Sequence, residues 1–434
     1  MIKILNLADG RDELVSMLKS RNTDISEELI PKVRAILDDV KQNGDEAVAK
    51  YTSMFDWKEA STTKIKLTPG EIEEAYEFVE KDFIETVKIS VDRVRKFHLK
   101  QKQNSWFDTE QEGVMLGQVV RALDTVGLYV PGGKAAYPSS VIMTAVPAKS
   151  AGVKRLLITT PPGKNGKVNP AILVAANEAG VDEIYKIGGA QAVGAMAYGT
   201  KTVPQVDKIV GPGNIFVTLA KKLVYGTVDI DMIAGPSEIL VVADDSAIPK
   251  YVAADLLSQA EHDEMASSIL LTVSEKLAKE VKIHIEKQIE QLPRKEIVQK
   301  SINSFGCIAI CKDIGEAIKT ANLISPEHLE LCVEEPIKYL GLIRNAGAIF
   351  VGNYSPEPIG DYVAGPTHVL PTSGTARFYS PLSVDHFMKK TSLIWFDEKS
   401  MSSLAEHVVR FAEKEEFQAH ANSIKVRMKN NKES

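Results

Sequence analysis

From Val114 onward the chain repeats one texture, in which short β-branched runs end in glycine or proline turns and are followed by helical stretches. The runs include Gly127-Leu128-Tyr129-Val130-Pro131-Gly132-Gly133, Lys154-Arg155-Leu156-Leu157-Ile158-Thr159 and Asp207-Lys208-Ile209-Val210-Gly211-Pro212-Gly213-Asn214. A second series starts at Glu238-Ile239-Leu240-Val241-Val242-Ala243, continues through Ser268-Ile269-Leu270-Leu271-Thr272-Val273 and Cys307 to Cys311, and reaches Ala348-Ile349-Phe350-Val351. Alternating strand and helix predicts mostly parallel sheets with helices on their faces and ligands beyond the carboxyl ends of the strands. The fold class is therefore α/β, with two similar parallel-sheet units joined near Ala234-Gly235-Pro236-Ser237.

The flanks read differently. Ile25 to Phe55 carries apolar residues at helical period, and Thr68-Pro69-Gly70-Glu71 opens an amphipathic stretch running toward Lys102, so residues 1–110 form an N-terminal helical segment. The α/β units then occupy 111–235 and 236–380, and residues 381–434 form a C-terminal helical arm with a polar end. A net charge of 52 − 58 = −6 gives no electrostatic pull toward nucleic acid or anionic lipid, which favours a small-molecule partner. The opening residues have too short an apolar run for a secretory leader, and no later stretch is apolar enough to span a bilayer, so the expected location is cytoplasmic. Cys307, Cys311 and Cys332 fall in runs that read as buried strands, and none lies in a polar glycine turn that exposes a thiolate.

Several residues could carry chemistry. Gln259 and His262 lie three positions apart on an expected helix, where an oxygen and an imidazole nitrogen can meet one ion, zinc being the natural candidate. The distant loop Gly360-Asp361-Tyr362-Val363-Ala364-Gly365-Pro366-Thr367-His368 adds an aspartate and a histidine. Ser325-Pro326-Glu327-His328-Leu329-Glu330 sets a carboxylate beside an imidazole, which reads either as a proton-moving pair or as a capping Glu and a packed His. Gly211-Pro212-Gly213-Asn214 and Gly188-Gly189-Ala190-Gln191 read equally as tight βα turns or as turns facing a ligand. Glu415 and His420 read as part of a solvated helical face, His98, His284 and His407 as surface residues, and His386 stays open.

In order and approximate spacing, the motifs at 127–133, 188–191, 211–214, 234–238, 258–262, 326–330 and 360–368 resemble the histidinol dehydrogenase family over nearly the whole chain. The resemblance implies two Rossmann-like units, the first on the NAD side and the second carrying the zinc and acid/base residues. It implies oxidation of L-histidinol through L-histidinal to L-histidine, by two hydride transfers to NAD, in the last steps of histidine biosynthesis. One zinc per subunit would be held by Gln259, His262, Asp361 and His420, with the substrate's imidazole and amino nitrogens completing its shell. Glu327 and His328 would be the acid/base pair. Ser237, His368 and Glu415 would contact substrate, together with His328 and the zinc ligands, and Tyr129, Gln191 and Asn214 would line the NAD site. The family forms homodimers whose C-terminal arm reaches the partner's site, which replaces the solvated-face reading of Glu415 and His420.

The residue types agree with that chemistry. Converting an aldehyde to an acid needs a hydrate, so a base must deprotonate water, and no well-placed thiol offers the thiohemiacetal route. Thr367, Ser325, Ser267 and Glu416 depart from the family pattern, where Asn, Ala, Gln and Gly are usual, and Glu416 brings an added carboxylate. Two rivals stand beside this reading: a zinc hydrolase acting on a small amino-containing substrate, and a two-lobed binding protein.

Overall fold

The structure, a computed structural model, describes residues 2–21, 28–132 and 136–429. The expectations placed on Ile25, Gly133 and the polar end 430–434 lie outside the described residues. The chain divides into two compact units, Met1–Gln101 with Leu123–Phe387, and Lys102–Ala122 with Met388–Ser434. Among the described residues no helix is long and apolar enough to cross a membrane.

The larger unit contains both expected parallel sheets. One has the strand order Glu183–Lys186, Arg155–Thr160, Thr125–Tyr129, Lys208–Val210, Asp229–Ile230, all parallel. Its central strands are continuous apolar runs because helices cover both faces, and Leu128, Leu157, Ile158 and Ile209 are fully buried. The order reverses between Thr125–Tyr129 and Lys208–Val210, so a crevice is expected beyond Tyr129 and Val210. The N-terminal segment is the outer layer here: helices Leu29–Asn43 and Asp45–Phe55 bury Val33, Leu37, Val40 and Val48 against the helix Gly189–Tyr198 and the sheet. The continuous helical stretches read from sequence are each broken in two, the first at Gly44 with φ +54°, the second between Pro69–Ala75 and Lys81–Leu99.

The other sheet has the order Lys3–Asn6, Gly306–Ile310, Ser267–Thr272, Glu238–Ala243, His328–Cys332, Ala348–Val351, again parallel throughout. Its edge strand Lys3–Asn6 corrects the reading of residues 1–110 as purely helical. A short strand pays little local signal, and its pairing partner Gly306–Ile310 lies some three hundred residues away. All three cysteines are buried and free, and burial pushes the thiols of Cys307 and Cys311 up to about 12 and that of Cys332 higher still.

The smaller unit also departs from the expected boundaries. Val114–Ala122 pairs antiparallel with Met388–Phe396 and with Trp106–Asp108, so residues 111–122 belong with the C-terminal arm and not with the first parallel sheet. Two helices follow, Glu398–Lys414 and Gln418–Lys429. The first ends with Glu416 at φ +63°, its N–H on Glu413 O and that of Phe417 on Ala412 O, the paired bonds of a helix stop that normally takes glycine.

Candidate active site

Glu327 and His328 stand at the entry to the strand His328–Cys332, next to Glu238 at the entry to Glu238–Ala243. The preceding helix Ile314–Ile324 stops on Ser325, which is left-handed at φ +56°, and Pro326 then directs the chain into the strand. This site lies at the amino ends of the strands, which corrects the expectation that ligands bind beyond carboxyl ends. Both groups are anchored on the backbone of one residue, through the N–H and the C=O on either side of the Glu238 Cα. Glu238 N–H donates to Glu327 Oε2 at 2.9 Å, and His328 Nδ1 lies 2.9 Å from Glu238 O. A carbonyl can only accept, so Nδ1 carries the proton and Nε2 presents its lone pair.

Burial sets the protonation. It lowers His328 to about 3 despite the bond to Glu238 O, so the ring is neutral near pH 7. It raises the Glu327 carboxyl well above the ordinary range, with the Glu238, Asp361 and Glu357 carboxylates adding to the rise and the Glu238 N–H opposing it. His328 Nε2 has no hydrogen-bond partner and lies 3.9 Å from Asp361 Oδ1 and 4.0 Å from Glu357 Oε1. A buried imidazole with one nitrogen anchored and the other unsatisfied is poised to take a proton from a ligand.

Beside it, His262, Glu357 and Asp361 each offer a ligand atom, and these atoms lie within 4.8 Å of one another. Gln259 ends the helix Pro249–Ala260, is fully buried, and has no partner for either amide atom. His262 lies past the helix end, in a turn closed by its N–H on Gln259 O at 3.2 Å, so the pair is carried by a helix and its exit turn. His262 is exposed. Asp361 sits in the short helix Glu357–Tyr362, where a loop was expected. Burial raises Glu357 to about 8 and Asp361 to about 6, the Asp361 carboxylate adding to the rise at Glu357. Orphaned amide atoms together with clustered nitrogen and oxygen donors fit a metal such as zinc.

Glu357 was missed in the sequence, although its four-residue spacing from Asp361 puts both on one helix face. Ser258 Oγ reaches Glu357 Oε2 at 3.2 Å, which ties the Gln259 helix to this one. His368 Nδ1 lies 3.1 Å from Asp361 O, and burial lowers this ring to about 4. Ser237 is half-buried, its carbonyl accepting from Ser267 N–H at 3.1 Å. The structure thus brings together Glu327, His328, His262, Asp361 and His368. Glu415 and His420 lie on the smaller unit and are exposed. His98, read as a surface residue, is fully buried with Nδ1 2.8 Å from Val94 O.

The candidate cofactor residues lie at or just beyond the carboxyl ends of strands of the other sheet. Tyr129 ends its strand, and its hydroxyl accepts the Gly189 N–H at 3.2 Å. Gln191 is fully buried with Nε2 on Asp56 Oδ2 at 3.2 Å and with Oε1 unsatisfied. Asp56, unnoticed in the sequence, also accepts the Gly188 N–H at 3.1 Å, and burial raises it to about 6. Asn214 caps the helix Ile215–Val224 by accepting from Phe216 and Val217 N–H. Gly211, at φ +117°, faces the Tyr129 carbonyl so closely that a Cβ would collide with it. A cavity of ≈ 540 Å³ is lined by Gly132, Pro161, Phe78 and Leu173, and none of Tyr129, Gln191 and Asn214 lines it.

The comparisons with known proteins agree along the whole chain. A family model described as histidinol dehydrogenase matches residues 19–428. A histidinol dehydrogenase of Clostridium acetobutylicum is 57% identical, with 97% of each chain covered. That of Bacillus subtilis is 52% identical over 93% of this chain and 94% of its own. The crystal structure of histidinol dehydrogenase from Elizabethkingia anophelis superposes with a TM-score of 0.93 at 39% identity and covers 99% of both chains. This chain belongs to the histidinol dehydrogenase family of oxidoreductases.

Proposed function

We propose that this protein oxidises L-histidinol to L-histidine through L-histidinal, with NAD as hydride acceptor, zinc as the metal and the acid/base work divided between Glu327 and His328. The observation that carries this reading is the Glu238 backbone, whose N–H and C=O engage the two residues and leave His328 Nε2 buried, unpartnered and next to the His262, Glu357 and Asp361 cluster. Gln259, His262 and Asp361, with His420, would hold zinc, which would supply positive charge for binding the substrate's imidazole and amino nitrogens. Tyr129, Gln191 and Asn214 would hold NAD, which would supply the hydride acceptor for both oxidations.

His328 Nε2 accepts the alcohol proton as the first hydride leaves, which gives the aldehyde. Glu327 then takes a proton from water as its oxygen bonds to the aldehyde carbon, and His328 returns its proton to the former carbonyl oxygen. The resulting diol loses a second hydride, with its hydroxyl proton passing to His328, and the carboxylic acid is formed. A carboxyl whose affinity for protons is raised by burial is, once ionised, a stronger base than a solvated one. Ser237, His368 and Glu415 contact the substrate in this reading.

The dimer belongs to the same proposal, with Glu415 and His420 reaching the partner's site. Leu404, Val408 and Phe411 are exposed along one face of a helix, the kind of apolar stripe that subunits cover. The test is incubation of the zinc-loaded protein with histidinol and NAD while the absorbance of the reduced cofactor is followed. Absence of reduction would reject the dehydrogenase reading in favour of a zinc hydrolase.

A further inference from the structure

The hydrogen-bond chain that ends on Glu327 and His328 starts at a residue distant in sequence, Arg21. Its side chain is 3% exposed, and its guanidinium is fully engaged. Nε donates to Met265 O at 2.8 Å, Nη1 to Glu238 Oε1 at 2.8 Å and Ser267 Oγ at 2.9 Å, and Nη2 to Pro236 O at 3.0 Å and Ser237 O at 3.1 Å. Those contacts use every donor a guanidinium has. They converge on the turn that leads into Glu238. Ser373 N–H also reaches Glu238 Oε1 at 3.2 Å, and Gly235 N–H reaches Thr372 Oγ1 at 2.6 Å, so the turn is held from a second side. Glu238 is thus fixed by its side chain while its N–H and C=O hold the two acid/base groups.

We propose that Arg21 is a positioning residue for the acid/base pair, acting through the Glu238 backbone. The proposal rests on the assignment of Glu327 and His328 made above. A simple structural role is the competing explanation, because Arg21 also closes the end of the helix Leu7–Ser20 and balances the buried Glu238 carboxylate. The two differ in what they move. Loss of an anchor lowers the amount of folded protein, whereas a tilted Glu238 backbone misaligns Glu327 and His328 in molecules that remain folded and metal-loaded. Because most of the proposed substrate contacts belong to the metal cluster and His368, such misalignment lowers kcat far more than it raises KM, to which the Ser237 contact on the same turn adds only a small rise. Lysine cannot substitute, since an ammonium on a flexible stem cannot meet acceptors spread around a planar fork.

The experiment uses the full-length, zinc-loaded enzyme carrying Arg21→Ala or Arg21→Lys, with zinc content and circular dichroism recorded for each preparation. Steady-state oxidation of histidinol and of histidinal is then measured with and without added guanidinium. Arg21→Ala is expected to lose about 100-fold in kcat for both substrates, the scale of an ångström-level misplacement, with KM for histidinol within about 3-fold of wild type. Millimolar guanidinium should restore at least about 10-fold of that loss. Arg21→Lys, which keeps a buried positive charge and folds if Arg21→Ala does not, should still lose about 10-fold in kcat. Wild-type kcat in either folded variant, a loss confined to KM, or no recovery with guanidinium would overturn the proposal. Glu327→Gln and His328→Asn measured alongside separate the two levels. If they too keep wild-type kcat, the acid/base assignment fails and the Arg21 proposal falls with it; if they lose activity while the Arg21 variants keep it, only the Arg21 proposal fails.

Discussion

Replacing Lys221 with methionine should destabilise the protein and loosen the turn assigned to the cofactor. Lys221 and Asp231 form a buried ion pair, 3% and 7% exposed, and together they hold both sides of Gly211: Lys221 Nζ donates to Gly211 O at 2.9 Å, and Gly211 N–H donates to Asp231 Oδ2 at 2.8 Å. Lys221→Met leaves the Asp231 carboxylate buried without a counter-charge and the Gly211 carbonyl without a donor. Breaking one side of such a pair costs about 3–5 kcal/mol. In the double variant Lys221→Met with Asp231→Leu no charge remains, and the cost falls to that of the unsatisfied Gly211 peptide groups, about 1–3 kcal/mol. Urea unfolding followed by circular dichroism gives the three midpoints, and the single variant should be less stable than the double. Both should raise KM for NAD, because the turn from Gly211 to Asn214 loses its anchor. A single variant within about 1 kcal/mol of wild type, or a double variant less stable than the single, would refute the reasoning.

Three further outcomes follow from particular residues. The Asp56 carboxyl is raised to about 6 by burial, so the folded state binds more protons than the unfolded one between about 3.8 and 6, and stability falls as pH rises through that window. Asp56→Asn should therefore flatten the urea midpoint over that range, by about 2 kcal/mol after allowance for partial exposure, and an unchanged pH profile would contradict the shift. Glu416→Gly removes the penalty of a side-chain-bearing residue at φ +63° and should raise stability by about 1 kcal/mol, read as a higher urea midpoint. His262→Asn should lose zinc and activity together by metal analysis and assay. Mixed dimers of His262→Asn and His420→Asn should recover partial activity, and failure to complement would argue for self-contained sites.

Much of the fold is legible in the sequence because parallel strands buried on both faces must be apolar runs. Glu238–Ala243 and Ser267–Thr272 fall where those runs are and are buried throughout, and Ile215–Val224 is the helix its period indicates. Lys3–Asn6 and the antiparallel strands Val114–Ala122 and Met388–Phe396 were not, since short or half-exposed strands carry weak patterns and their pairing depends on distant partners. His98 misled because its helix is charged on its outer side, while the histidine itself turns inward and bonds Val94 O. The site shows the same division. Glu-His and Gln-x-x-His motifs are visible as local spacings, but the Glu238 backbone that aligns the former carries no side-chain signature. Arg21 and Asp56 are remote residues whose importance arises only when folding carries them to a turn.

The most direct measurement is the yield of reduced cofactor per histidinol consumed, with the products identified. The account predicts two equivalents and histidine for the wild-type enzyme, since alcohol to acid is a four-electron oxidation, and it predicts that Glu327→Gln slows the aldehyde step more than the alcohol step, so that yield falls toward one while histidinal accumulates. Equal slowing of both steps in Glu327→Gln, with the yield still at two, would contradict the division of labour between Glu327 and His328.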